Sequence, residues 1–249
     1  MNHSQNDALI YFIADLHLVE NRPDITACFL SFLEKDAPKA QQLYILGDLF
    51  ESWIGDDDDS EFVAEIANAL LALTNKGTKT YFIHGNRDFL LGKRFAKKSG
   101  MQLLPEETTV DLFGEQAVIL HGDTLCTRDE AYQKFRVKSR TWWWQTMIKS
   151  LPLFVRRKIA ANYRKRSAYE TAGKSQEIMD VTQSAVEQSL NRYQCDLMIH
   201  GHTHRPFVHE FELNGEQAKR IVLGDWYEQG AWLKVTPQSK KLLNQPFQR

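Results

Sequence analysis

Cysteine is scarce and poorly placed for structural work: Cys28, Cys126 and Cys195 are odd in number, far apart and without Cys-x-x-Cys spacing. A disulfide framework and a thiolate zinc site are therefore excluded as expectations, and a reducing compartment fits better. No apolar stretch reaches the roughly 18 residues that a membrane-crossing helix needs. The start, MNHSQNDALI, is polar where a secretory leader would be basic and then apolar. The expected location is cytoplasmic, with contact to a membrane surface still open. Internal repeats and low-complexity tracts are also missing. A chain of 249 residues, 43% apolar, is long enough for one domain with a full core or one domain carrying an insertion.

Net charge is almost absent, at −1, but the charges are segregated. From Arg128 to Lys174, 13 Lys or Arg stand against three acids, so this segment carries about +10 and the remainder about −11. Such asymmetry points to an anionic partner for the basic segment.

What the chain does have is five apolar runs that end alike: IYFIADLH, LYILGD, TYFIHGNRD, AVILHGD and LMIHGHTH. Each has the length and β-branched or aromatic content of a buried strand. They stop at Asp15 and His17, Asp48, Asn86, His121, and His202 and His204. Ligand-type residues placed where buried strands emerge converge on one edge of a sheet, where open α/β sheets keep their sites. One Asp-x-His would signify little; five endings restricted to Asp, Asn and His read as a metalloenzyme.

Around these runs the first half alternates strand and helix, which predicts right-handed crossovers and a largely parallel sheet. ITACFLSFLEK forms one helix; SEFVAEIANALLALTNKG forms another, capped by Ser60 and stopped at Gly77. VDLFGEQAVILHGD reads as a hairpin into a ligand strand. Residues from about Leu125 to Leu190 are predominantly helical, broken at Pro152, before strands return with an Asn214–Gly215 turn. The expectation is a single α/β domain over residues 1–249 with a helical insertion at about 125–190. The run Asp56–Asp59 reads as a solvated loop ahead of a helix N-terminus.

The order Asp15-x-His17, Gly47-Asp48, Gly85-Asn86-Arg87-Asp88, His121-Gly-Asp and Gly201-His202-Thr203-His204 resembles that of the calcineurin-like metallophosphoesterases, over most of the chain. The resemblance implies a four-layer α/β/β/α sandwich with a helical lid, and two cations. It places one cation on Asp15, His17, Asp48 and His204 and the other on Asp48, Asn86, His121 and His202, with Asp48 bridging. The residue types agree independently. Imidazole with carboxylate and amide oxygen suits Mn²⁺, Zn²⁺ or iron better than Ca²⁺, and two cations roughly 3.5–4 Å apart need a shared carboxylate to offset their repulsion.

Arg87 stands where many members of that family have His. Arginine cannot act as an acid near pH 7, but it can hold phosphoryl oxygens bidentately. A leaving group that departs as phosphate needs little protonation, so Arg87 favours a pyrophosphate substrate. GDLFESWIGDDDD, HGNRDFLLG, HGDTLCTRD and HGHTHRP are similar, from about Tyr11 to Val235, to the branch of the family that cleaves a lipid-linked UDP-sugar in bacterial lipid A synthesis. That implies Mn²⁺-dependent hydrolysis of UDP-2,3-diacylglucosamine, by attack at the uridine-side phosphorus, to UMP and 2,3-diacylglucosamine 1-phosphate at the inner membrane's cytoplasmic face. Carried over as catalytic are Asn86 and Arg87; as substrate-binding, Asn86, Arg87, Asp129, Ser167, Thr171, Lys174 and His202. Thr171 is the position where Asn would serve equally.

The insertion fits such a substrate. Trp142–Trp144, Met147, Leu151, Leu153, Phe154 and Ile159 offer apolar lining for acyl chains. Arg156, Arg157, Lys158, Arg164, Lys165 and Arg166 offer charge for an anionic membrane, about 1 kcal/mol each near the surface. The competing enzyme reading is a nuclease or cyclic-nucleotide phosphodiesterase, with the basic aromatic insertion gripping nucleic acid; Arg87 and the apolar LPLF argue against it. A scaffold without metals would have no reason to keep all the ligands. Nucleic acid is not an expected partner, and a monomer is expected. His84 and His200 remain unassigned at this level, beside or behind the ligands.

Overall fold

The computed structural model describes residues 8–172 and 176–247, without the side chains of 166–172 and 176–177. Two sheets lie face to face. The first has the order β11-β10-β1-β2-β3-β4, formed by β1 (Ile10–Ile13), β2 (Gln42–Leu46), β3 (Lys79–Ile83), β4 (Gln102–Leu103), β10 (Gln229–Thr236) and β11 (Ser239–Pro246). The second has the order β5-β6-β7-β9-β8, formed by β5 (Glu107–Asp111), β6 (Gln116–Leu120), β7 (Leu197–His200), β8 (Phe207–Leu213) and β9 (Glu216–Val222). Strands β1 to β4 are parallel, as are β6, β7 and β9, with antiparallel strands at the sheet margins.

The expected four layers follow from how the strands are buried. In β1, Ile10 and Phe12 pack between the sheets, whereas Tyr11 and Ile13 pack on the other side against α1 (Pro23–Lys35), α2 (Glu61–Asn75) and α3 (Lys93–Ser99). In β6, Ala117 and Ile119 join the inter-sheet core, and Val118 and Leu120 face α8 (Gln183–Tyr193) through Val186 and Leu190. Both faces of these strands are therefore apolar, because both are covered. Fully buried rings such as Phe29 and Phe32 each contribute about 1.5–3 kcal/mol by leaving water.

Helix α2 shows the local logic. Ser60 Oγ accepts from Val63 N at 3.4 Å, and Val63, Ile66, Ala67, Leu70 and Leu73 are its buried stripe. The chain leaves the helix through Gly77 at φ 107°, a conformation that glycine adopts without strain.

Between β6 and β7 come α4 (Glu130–Ser139), α5 (Trp142–Lys149), α6 (Leu153–Ala172), α7 (Gln176–Met179) and α8. Pro152 separates α5 from α6, where its missing N–H ends the ladder. Asn214 (φ 55°) and Gly215 (φ 87°) make the β8–β9 turn in the paired left-handed conformation.

Candidate metal centre

Seven side chains meet where the parallel strands of the two sheets end. The chain past β1 is pinned to that past β2 by Asp15 N to Gly47 O (3.1 Å) and His17 N to Asp48 O (2.9 Å). Across the sheets, His202 N donates to Asp15 Oδ2 at 2.8 Å, and within the second sheet Gly201 N donates to His121 O at 2.8 Å. Asp15, His17, Asp48, His202 and His204 all have left-handed backbones, with φ of 56°, 52°, 52°, 69° and 55°. Non-glycine residues hold such conformations at a cost of about 1–3 kcal/mol each, and only where surroundings over-determine them. Gly47 (φ 85°) permits the crowding: a Cβ there would lie 2.6 Å from Gly85 Cα. A Cβ on Gly85 would lie 2.1 Å from Asp48 Oδ1.

The donor atoms face one another. His121 Nδ1 donates to Leu46 O at 2.8 Å, which leaves Nε2 with a lone pair; that atom lies 2.9 Å from Asn86 Oδ1 and 3.8 Å from Asp48 Oδ1. On the other side, His17 Nε2 lies 3.4 Å from His204 Nε2 and 3.8 Å from Asp48 Oδ2, and His204 Nε2 lies 3.5 Å from Asp15 Oδ1. The outer nitrogens face carboxylates, His17 Nδ1 to Glu51 Oε2 at 2.7 Å and His204 Nδ1 to Asp225 Oδ2 at 3.5 Å. Imidazole nitrogens and carboxylate oxygens crowded together, with Asp15 Oδ1 buried and without a hydrogen-bond partner, are what a cation reconciles. Although burial opposes it, Asp15 pushes the pKa of His204 up to about 9, so a cation there takes a proton's place. Two sets, Asp15–His17–His204 and Asp15–Asp48–His121, have ligand atoms within 4.8 Å of one another. His202 packs edge-on to His121, with ring centroids 5.0 Å apart. Burial and then His121 hold its pKa down at about 4, so it is a neutral donor at pH 7. The donor set fits divalent cations.

Beside these groups opens a cavity of about 850 Å³. Arg87 lines it, with Nε buried and no hydrogen-bond partner, while its backbone N donates to Asp48 Oδ1 at 2.8 Å. Asp88 is not its partner. Asp88 is fully buried and accepts from Gly85 N (2.9 Å) and Leu49 N (2.7 Å), which fastens the two ligand loops together. Burial, then the Asp48 charge, push its pKa up to about 7. The opposite wall is helical: Tyr132 and Phe135 of α4, Trp144 and Ile148 of α5, Ile159 and Tyr163 of α6. Spacings of three or four residues put each pair on one helix face. Of the apolar residues expected there, Trp144 and Ile159 line the cavity; Trp142 (79% exposed) and Phe154 (73%) point to solvent.

The calcineurin-like phosphoesterase profile matches residues 8–206, most of the chain. The chain belongs to the calcineurin-like phosphoesterase family. Among curated relatives, proteins named UDP-2,3-diacylglucosamine hydrolase from Photorhabdus laumondii, Escherichia coli and Klebsiella pneumoniae are 55%, 53% and 52% identical to it. Each alignment covers 95% of this chain and 98% of the relative.

Around the ligand-type residues, this phosphoesterase carries partners that the strand-end pattern did not single out. Glu51 and Asp225 stand behind His17 and His204. Asp123, buried two residues past His121, accepts from Tyr132 OH (2.5 Å) and Arg136 Nε (2.9 Å). Although burial opposes it, His121 and Arg136 keep its carboxyl well below the usual range. Arg140 donates to Gly85 O at 2.9 Å and lies 4.5 Å over the Phe89 ring, so α4 is wired to both ligand loops. His84 bonds the Leu91 carbonyl through Nε2 (2.7 Å); His200 bonds Gly201 O (2.8 Å) and receives Arg220 Nη1 at 3.1 Å.

Two expectations change. The Asp56–Asp59 run is not simply a solvated loop: Asp56 accepts from Gly92 N (2.8 Å), Arg94 N (3.0 Å) and Phe95 N (3.1 Å) at the start of α3, while Asp57 and Asp59 are exposed. Arg156 is not free for a membrane, being 3% exposed and bonded to Ile54 O (2.6 Å) and Asp57 Oδ1 (2.8 Å). Asp129 lines the cavity but also caps α4, its Oδ1 accepting from Tyr132 N at 3.1 Å. The side chains of Ser167 and Thr171, and Lys174, lie outside the described residues.

Proposed function

We propose that this phosphoesterase hydrolyses the pyrophosphate bond of UDP-2,3-diacylglucosamine to UMP and 2,3-diacylglucosamine 1-phosphate, using two Mn²⁺ ions. The observation that carries this is the meeting of the Arg87 guanidinium, whose buried Nε has no hydrogen-bond partner, with an imidazole–carboxylate cluster at the mouth of an aromatic-walled cavity. The names and similarity of the curated relatives support the same substrate. One ion would sit among Asp15, His17, Asp48 and His204 and the other among Asp48, Asn86, His121 and His202, where such ions supply Lewis acidity and a water of lowered pKa.

The chain's own residues do the remainder. Arg87 holds the phosphoryl oxygens and offsets charge that builds on them, in a place where water does not compete for its Nε. Water oxygen bonds to the uridine-side phosphorus, the bond from that phosphorus to the bridging oxygen breaks with its electron pair kept by the departing sugar 1-phosphate, and the water's proton passes to solvent. That group is a stable anion, so no side chain need protonate it, and a guanidinium in place of a proton donor suffices. The amide of Asn86 and the imidazole of His202 hold substrate oxygens at the same loops, joined by Asp129, Ser167, Thr171 and Lys174 from the insertion. We place residues 1–249 in one domain, with residues from about 125 to 190 as its lid and α8 as the lid's root on the second sheet.

The test is UMP release from UDP-2,3-diacylglucosamine with and without Mn²⁺, beside a nucleic-acid substrate. Chelation should abolish turnover and Mn²⁺ restore it, and ¹⁸O from water should appear in UMP. Turnover of nucleic acid alone, or label in the sugar phosphate, would overturn the substrate or the pose.

The acyl chains imply work at an anionic membrane from the cytoplasmic side, by a monomer. The exposed Trp142 and Phe154, flanked by the exposed Lys149 and Lys158, suit an interfacial face. Lys149→Gln with Lys158→Gln should weaken binding to phosphatidylserine vesicles by about 1 kcal/mol per charge; unchanged binding would remove the membrane contact, and light scattering tests the monomer.

A further inference from the structure

Glu51 follows Asp48 by three residues, and its two oxygens face opposite ways. Oε2 lies 2.7 Å from His17 Nδ1; Oε1 lies 2.5 Å from Arg164 Nη2, on the insertion helix α6. The His17 and Glu51 side chains are only 2% and 13% exposed, and that of Arg164 is 39% exposed. An isolated pair as open as Arg164 would contribute little. Here the carboxylate is already held in the wall of the site, so its second contact reports directly on a candidate metal ligand.

The same helix reaches the same loop twice more, through Arg156 to Ile54 O and Asp57 and through Arg157 to Asp58 (3.2 Å). Those contacts fasten α6 to the loop between β2 and α2. Of the three, the Arg164 contact is the one whose acceptor also faces a ligand-type side chain. The His17 ring is stacked on Tyr227 at 5.2 Å, with the planes 10° apart. Stacking resists tilting of the imidazole, but it does not select which nitrogen faces the centre. A carboxylate 2.7 Å from Nδ1 does: although it lies off the line of a hydrogen bond from the ring, its charge favours the proton on that nitrogen and leaves the Nε2 lone pair pointing inward, towards Asp48 and His204.

We propose that Glu51 is a positioning residue that couples the insertion to the metal centre: it fixes His17 and is itself fixed by Arg164, so that docking of α6 and cation binding at His17 stabilise each other. The proposal rests on the reading of His17 as a metal ligand. Coupling of this kind is reciprocal: whatever α6 gains from the cation, the cation gains from α6.

The experiment titrates Mn²⁺ calorimetrically into the metal-stripped full chain and follows amide exchange in α6 with and without Mn²⁺. Glu51→Gln should weaken the affected Mn²⁺ site by about 10- to 100-fold, as losses of such outer partners do. Arg164→Gln should weaken it by about 5-fold, at the low end of measured site-to-site couplings, and Arg164→Lys should recover part of that loss. Arg157→Gln, which loses an exposed contact of α6 but keeps those of Arg156 and Arg164, should weaken Mn²⁺ binding less than Arg164→Gln does. Mn²⁺ should slow exchange in α6 of the parent and not of Glu51→Gln. If Glu51→Gln does not fold by thermal melting, Arg164→Gln carries the test alone, since its side chain is part-exposed and belongs to neither core. Parental Mn²⁺ affinity and parental α6 protection in Arg164→Gln would overturn the coupling while leaving His17 a ligand. Absence of Mn²⁺ uptake by the parent chain would instead overturn the ligand reading itself, and the coupling with it.

Discussion

The two walls of the cavity are built on opposite terms. On the strand-end wall, Asp15, His17, Asp48 and His121 are at most 2% exposed, held by left-handed backbone and by amide donors from neighbouring loops. On the helical wall, Phe135, Trp144, Ile159 and Tyr163 are part-exposed, and their helices are fastened to the sandwich by arginine side chains: Arg136 and Arg140 from α4, Arg156, Arg157 and Arg164 from α6. One wall stores strain to fix a few atoms; the other offers apolar area that can shift to suit a chain. Rigid placement serves the reacting phosphorus, where a misplacement of about 1 Å can cost a hundredfold. Adjustable packing serves the part of a substrate that does not react.

The sharpest way to break that division is at the strand-end wall. Asp48→Ala removes the carboxylate that faces His17 on one side and His121 on the other, and it frees the Arg87 amide. Loss of a shared clamp should cost several kcal/mol of transition-state stabilisation, or about 10³-fold or more in kcat. Retention of more than about a tenth of the activity would overturn the proposed pair of cations bridged by Asp48.

Next in size is Arg87. Arg87→Ala should lower kcat by about 10²-fold, the scale of a preorganised donor, with Mn²⁺ content unchanged because only the Arg87 backbone touches Asp48. Arg87→Lys should rescue poorly, since a point charge does not replace a planar fork. Normal turnover in the Ala variant would reduce Arg87 to a structural part.

The two walls were also unequally legible from sequence. The ligand strands were plain because each is apolar along its whole length and then stops at Asp, Asn or His. That same uniformity hid which face of each strand meets which core: Phe12 and Ile13 look alike, yet one lies between the sheets and the other under α1 and α2. β11 is illegible because SKKLLNQP is an edge strand with no buried side chain, and β4 because it has two residues. Asp225 was legible after all, since IVLGD repeats the apolar-run-then-Gly-Asp ending of LYILGD. Glu51 was not, because its meaning comes from Arg164, far away in the chain. The basic run misled in the same way: Arg156 reads as solvated until the fold sets Asp57 and the Ile54 carbonyl against it. Local pattern carries what a strand end needs; it does not carry partners that the topology supplies.

The smallest expected effects belong to the helical wall, and they sharpen the comparison most. If Tyr132, Phe135, Trp144, Ile148, Ile159 and Tyr163 hold acyl chain, each methylene removed from the substrate should lose about 0.8 kcal/mol, about fourfold in kcat/KM. Trp144 spans the walls, 6.0 Å from the Phe89 ring on the sandwich side and 6.2 Å from Phe135 on α4. Trp144→Ala should therefore flatten the dependence on acyl length, because less of each chain stays covered. It should leave hydrolysis of a small, acyl-free phosphodiester nearly intact, because the loop that carries Asn86 and Arg87 is also held by Asp88 and by Arg140. The measurement is kcat/KM across an acyl-length series in both proteins, with the small diester as the internal standard. Parallel slopes, or equal losses on lipid and small substrate, would show that the aromatic wall supports the strand-end wall and contributes nothing of its own to substrate choice.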